Sequence, residues 1–312
     1  MSWANALTTS ERTATELLTR HAAGMGTAEE MHLALTRYNR WRLEPAEPVE
    51  DWADDIRKGA ACAVVEGNFL EAARAEVRRL AEGVPTDADG FVAWFESLKQ
   101  WGPGQGDPLF PWLAEHADYE QMKWFIRQEV AGEAGFDDLV ALTQVRSPNR
   151  AKLELARNYW DEMGHGKEIG MHGPMLSRLA REVGVTAGDE DDVVWEARAL
   201  GNLLVGLAAN RRYAYHAIGA LGVIELTAPT RADKVWRGLE RLQLSSAASR
   251  YYRLHATLDL QHSESWNREV LHPLVEERPQ VARHLAEGAL MRLQAGALCF
   301  DRYRRELGLS AA

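Results

Sequence analysis

The chain has 312 residues, 46% hydrophobic and 26% charged, with eleven tryptophans and no low-complexity tract, so it can bury a sizeable core and is not a disordered polymer. Its formal net charge of -10 argues against sequence-independent binding to nucleic acid, which needs a basic face to displace phosphate counterions. No long apolar run appears, and the start MSWANALTTSERTATELL lacks the basic, apolar, small-residue order of a secretory signal, so the expectation is a cytoplasmic protein that does not enter membranes.

Apolar residues recur at spacings of three and four almost everywhere, as in LEAARAEVRRLAEGV from Leu70, and no stretch alternates convincingly, so the predicted class is all-α. Residues 1–100 are polar and Arg-rich, are broken at PAEP and carry His21 and His32; they read as an N-terminal helical extension. Residues 101–312 then form the domain that carries chemistry, although no Gly/Ser linker separates the two and a single domain overall stays open. Helix stops are predicted at GVPTDADG after Glu82, WGPGQGDP after Gln100, SPN at Ser147, VTAGDEDD after Gly184, TAPT after Leu226 and ERP after Glu277, leaving about ten helical segments. Cys62 and Cys299 lie in apolar helical stretches and read as buried thiols.

Residues with chemical potential then appear in order. Glu129, in WFIRQEVAGEAGF, is flanked by apolar helix residues; it is either an extra metal ligand or a partner of Arg127 or Lys123. ARNYWDEMGHGKEIGMHGPM follows: Glu162 closes a helical run, Gly164, Gly166 and Gly170 interrupt it, and His172 opens the next segment. On a straight helix Glu162 and His172 would sit about 80° and about 15 Å apart, but a glycine-permitted break lets both face one metal. The bland alternative is a helix C-cap followed by a surface histidine. His165 in the break and His216 farther on read as a solvated and a satisfied core histidine.

Arg211, Arg212, Tyr213 and Arg253 stand near these segments and are candidates for holding a substrate carboxylate. Glu225 closes the small and apolar run of RRYAYHAIGALGVIELTAP, where a carboxylate is costly unless it is paired or metal-bound; Arg231 is the competing partner. In YYRLHATLDLQHSESW, His255, Asp259 and His262 stand at i, i+4 and i+7, within roughly 60° on one helix face, with Tyr251, Leu254 and Leu258 around them. Two imidazoles and a carboxylate suit iron without excluding zinc or manganese, and the further carboxylates tip the expectation toward two irons. No nucleophile elbow, CxxC pair or glycine-rich phosphate loop is present.

From about Glu115 to Leu307 these elements resemble the heme-oxygenase-like diiron oxidases and oxygenases, the iron-containing redox enzymes. The resemblance rests on the Glu129 helix, ARNYWDEMG, His172, GALGVIE, HATLDLQH and EGALMRLQAG. It implies a compact heme-oxygenase-like helical bundle with Glu162, His172, Glu225, His255, Asp259 and His262 as ligands to two Fe(II), and with an extra carboxylate such as Glu129 in some members. It also implies O2 as co-substrate, oxidation of an amine nitrogen or an aliphatic C–H bond of an amino-acid-like or fatty-acid-type small molecule, and a place in secondary metabolism. An external electron donor and a homodimer stay open. The competing expectations are a metal-free helical scaffold of the same fold and a single-metal hydrolase. A ferritin-like diiron protein is disfavoured because no Glu-x-x-His pair supplies ligands.

Overall fold

The computed structural model describes residues 26–48, 50–133, 135–185 and 192–309. Residues 1–25 of the expected extension and most of VTAGDEDD lie outside the described residues. Helices and short turns make up the rest, with no strand among the described residues. In chain order the helices are α1 (Ala28–Leu43), α2 (Trp52–Val77), α3 (Ala88–Trp101), α4 (Leu109–Glu115), α5 (Tyr119–Glu133), α6 (Phe136–Thr143) and α7 (Asn149–Glu162). They continue with α8 (His172–Glu182), α9 (Trp195–Ala209), α10 (Ala214–Arg241), α11 (Arg250–Trp266), α12 (His272–Glu277) and α13 (Ala282–Glu306).

Helix α10 is the centre of the bundle, packed along α11 and α13 and crossed by α4. Its first half is built from small residues because α13 comes very close: a Cβ at Gly219 would collide with the Leu285 carbonyl, and one at Gly288 with the His216 backbone. The predicted stop at TAPT does not occur, and α10 continues through Pro229. Proline deletes the bond to the Glu225 carbonyl and would break an isolated helix. Here Leu226, Pro229, Ala232 and Val235 are all buried, so tertiary packing outweighs the local preference. The breaks at SPN, WGPGQGDP and GVPTDADG fall between helices, as predicted.

The expected extension makes its own small apolar cluster, with Leu35, Tyr38, Cys62 and Val65 among its members, while Leu70 and Val77 of α2 and Phe91, Phe95 and Leu98 of α3 belong to the main core. Polar contacts tie α1 and α2 to the bundle: Asn39 Nδ2 donates to Asn202 Oδ1 at 2.9 Å, and Arg74 Nε to Glu287 Oε2 at 2.7 Å. His216, buried on α10 as a core histidine, has Nε2 3.2 Å from the same Glu287 oxygen, while its Nδ1 is buried with no hydrogen-bond partner, so the expected satisfaction is met at one ring nitrogen only. Both cysteines are buried and unbridged.

Candidate metal centre

Four helices converge on one buried point. Glu162 is the last residue of α7 and His172 the first of α8; Glu225 comes from α10, and His255, Asp259 and His262 from α11. All six side chains are buried, the most open being His255 at 8%. The structure therefore brings together the six positions singled out in the sequence.

The α7–α8 connection depends on its glycines. Gly164 has φ +59° and Gly166 φ +77°, separated by His165 at φ +53°. A Cβ on Gly164 would strike the Gly170 carbonyl group, so the chain doubles back where only glycine fits. His165 itself is exposed, 3.5 Å from Asp161. Replacing Gly164, Gly166 and Gly170 together by Ala is expected to weaken metal binding about tenfold or more while helix content holds, because the hairpin aims His172 and the helices flanking it do not depend on it. Metal titration beside circular dichroism checks this; unchanged affinity would mean the hairpin is only a connector.

Two groups of ligand atoms form, and they share Glu162. In one, His172 Nδ1 is 2.7 Å from Glu162 Oε2 and 3.1 Å from His255 Nε2. In the other, His262 Nδ1 lies 3.4 Å from Glu225 Oε2 and 3.7 Å from Glu162 Oε1. Each histidine is oriented from behind. His255 Nδ1 donates to the Tyr251 carbonyl at 2.7 Å, which leaves Nε2 to face the cluster. His262 Nε2 is 3.1 Å from Asp161 Oδ2, so Nδ1 faces inward. His172 Nε2 is 2.7 Å from Glu133 Oε1 and 3.1 Å from the Tyr251 hydroxyl. Asn158, one turn before Glu162, donates to Glu225 Oε1 at 2.6 Å. Such partners fix tautomer and ring direction, as around metal-bound histidines generally.

The electrostatics call for cations at this point. Burial alone would depress the histidines, yet Glu133 and Glu162 hold His172 well above its ordinary range, and Asp259 with Glu162 raises His255. His262, opposed by burial but facing Glu225, is pushed up to about 10. Burial raises Asp259 well above the usual carboxylate range, helped by Glu225 and Glu162. Two buried atoms, Asp259 Oδ1 and His262 Nδ1, have no hydrogen-bond partner. Buried polar atoms without a hydrogen-bond partner among crowded carboxylates fit a metal site and are costly without one.

The sequence profile of the family described as iron-containing redox enzymes matches residues 123–297, more than half of the chain. The protein belongs to that family. As an iron-containing redox enzyme it is placed in oxidoreductase chemistry. A solved structure described as a domain of unknown function with a heme oxygenase-like fold, from Shewanella denitrificans OS217, is similar at a TM-score of 0.51 and 14% identity, over 71% of this chain and 91% of that one. That likeness assigns the heme-oxygenase-like fold. No curated protein matches the chain. No described helix is long and apolar enough to cross a membrane.

Some expected residues lie elsewhere. Glu129 does not join the ligand groups; it faces Arg231 and Arg292, one helical turn from Glu133 on α5. The carboxylate missed in the sequence is Glu133, whose oxygens also accept from the Gly135 and Phe136 N–H groups at 2.8 Å, so it caps α6 while orienting His172. The sequence gives one hint, Glu-Ala-Gly-Phe ahead of a helix. Arg231, the alternative partner of Glu225, instead donates to Thr227 Oγ1 at 2.9 Å. The proposed carboxylate-binding residues do not line the cavity: Arg211 donates to the Leu142 and Thr143 carbonyls, Arg212 and Tyr213 donate to Glu71, and Arg253 is exposed. Proximity in sequence misled because Arg211, Arg212 and Arg253 are turned outward and the buried Tyr213 is directed to Glu71 instead of the cavity.

Proposed function

We propose that the protein is a non-heme diiron oxidase or oxygenase that uses O2 to oxidise a small, amino-acid-like molecule at an amine nitrogen or an aliphatic C–H bond. The observation that carries this reading is the pair of ligand groups sharing Glu162, one with His172 and His255 and the other with Glu225 and His262. One mononuclear site with open positions needs only three ligands; two groups with a common carboxylate suit two ions. Asp259, buried beside both, adds the oxygen that lacks a partner.

In this reading Glu162, His172, Glu225, His255, Asp259 and His262 hold two Fe(II). Bound iron supplies the one-electron and O2 chemistry that side chains lack. The chain supplies everything else. Glu133, Asp161 and the Tyr251 carbonyl hold the three imidazoles in fixed tautomers, and Asn158 fixes Glu225. A cavity of about 130 Å³ opens onto Glu162, His172, Glu225, His255 and Asp259, walled by Phe110, Phe136, Leu176, Leu200 and Leu204. That volume corresponds to about four water molecules or a ligand about the size of benzene, which suits a small metabolite rather than a long acyl chain. The apolar walls keep bulk water from the ligands.

The test is stoichiometry. Protein titrated with Fe(II) without air is expected to saturate near two irons per chain, one held more tightly than the other, and to develop a transient visible absorption on mixing with O2. Saturation at one iron, or no O2-dependent absorption, would sink the diiron reading.

A further inference from the structure

The cavity contains a second charged group that the six ligands do not use. Glu129 from α5, Arg231 from α10 and Arg292 from α13 all line it, with Phe110, Tyr252 and Phe300. The guanidinium of Arg231 lies over the rings of Phe110 and Phe300, 5.9 and 5.5 Å from their centroids, and makes one hydrogen bond, to Thr227 Oγ1. Arg292 is less satisfied: Nε and Nη1 are buried with no hydrogen-bond partner. Enclosure and mutual repulsion pull Arg231 down to about 9, and enclosure also lowers Arg292. No ion pair joins Glu129 to either arginine among the described residues, so two cations face one separate carboxylate across cavity space.

At their end of the cavity two enclosed guanidiniums face one carboxylate, Glu129, while Glu133, Glu162, Glu225 and Asp259 sit at the ligand cluster, so the positive excess is local to the arginine pair; donors without partners at Arg292 add a directional demand. Both are met by one incoming carboxylate, which accepts from guanidinium forks in a planar geometry that an amine or an alcohol cannot reproduce. Gly296 helps to make the room, since a Cβ there would lie 2.6 Å from Arg292 Nη1.

We propose that Arg231 and Arg292 form the site that receives the carboxylate of the substrate, with Glu129 as the fixed counter-charge that keeps the pair tolerable when empty. This rests on the oxidase reading above for the word substrate, but not for the binding itself. Arg231 lies six residues beyond Glu225 on α10, about 9 Å of axial rise. A carboxylate anchored there leaves a short carbon chain to reach toward the ligand cluster, so the oxidised position lies several bonds away from the carboxylate.

Metal-free protein titrated calorimetrically with hexanoate and, separately, with hexylamine tests the site. Hexanoate is expected to bind saturably at one site, with hexylamine at least about tenfold weaker. Arg231→Gln and Arg292→Gln should each weaken hexanoate about tenfold or more while Fe(II) stoichiometry stays that of the unmodified protein. If either variant loses helix content, Gly296→Ala, which crowds the Arg292 guanidinium without deleting it, gives the same loss of hexanoate affinity. Absence of saturable hexanoate binding, equal binding of hexylamine, or unchanged affinity in the arginine variants overturns the proposal. Loss of iron binding in those variants also overturns it, by placing the arginines in metal retention. Failure of the unmodified protein to bind iron, with hexanoate behaving as stated, overturns the oxidase reading and leaves the carboxylate site standing.

Discussion

Alanine at His255, Asp259 or His262 is expected to abolish O2-dependent turnover, by about a thousandfold or more, while the metal-free protein stays folded and helical. In the proposed assignment each variant removes one metal ligand from a set whose other members cannot replace it. Asp259 and His262 should differ in metal-free stability, and the sign follows from their protonation. Asp259 has a folded pKa raised above its unfolded value, so its contribution is present below the unfolded pKa and lost as pH rises; at neutral pH its ionisation is a cost. Asp259→Ala should therefore raise the melting temperature of the metal-free protein. His262 is different, because its proton faces Glu225 and Glu162, and His262→Ala leaves those carboxylates without a cation and should lower stability. A core control such as Leu221→Ala, at a residue 1% exposed, should cost about 2–5 kcal/mol with iron stoichiometry intact. Ligand variants that melt like the core control while keeping full iron content would show that the trio is structural.

Iron binding is expected to release protons and to weaken steeply as pH falls. In the metal-free cluster His172 is held well above its ordinary range and His262 is pushed up to about 10, so at neutral pH both carry protons that an incoming ion must displace. Displacing at least these two protons makes the affinity fall by about two decades or more per pH unit below neutrality. The opposite sign applies to metal-free stability. Histidines with raised folded pKa values stabilise fully below about pH 6.5 and lose that contribution as pH rises, for His262 through about 10. Metal-free protein should thus lose stability from about neutral pH upward, whereas iron-loaded protein should gain it over the same range. Calorimetric titration in buffers of different ionisation enthalpy counts the protons, and melting curves from pH 6 to 10 check the crossing trends. A pH-independent affinity would mean that the imidazoles are already neutral and that the carboxylates do not act on them as their distances suggest.

What the sequence determines by itself is whatever depends on neighbours along one helix. The spacing of His255, Asp259 and His262 is enough to place three side chains on one face of α11, and the glycines between Glu162 and His172 are enough to predict a broken helix, because backbone geometry is local. The all-α class follows from periodicity for the same reason. Tertiary structure decides what depends on which helices meet. Pro229 reads as a stop, but burial on both sides of it carries α10 past Arg231 to Arg241. Glu129 and Glu133 are one turn apart, and the sequence singles out only Glu129; the packing of α5 against α8 puts Glu133 on His172 and leaves Glu129 to Arg231 and Arg292. Arg292 stands 61 residues beyond Arg231 and 163 beyond Glu129 in the chain. Its charge acquires meaning when α13 closes against α10, since a guanidinium is ordinary in water and demanding inside an apolar chamber.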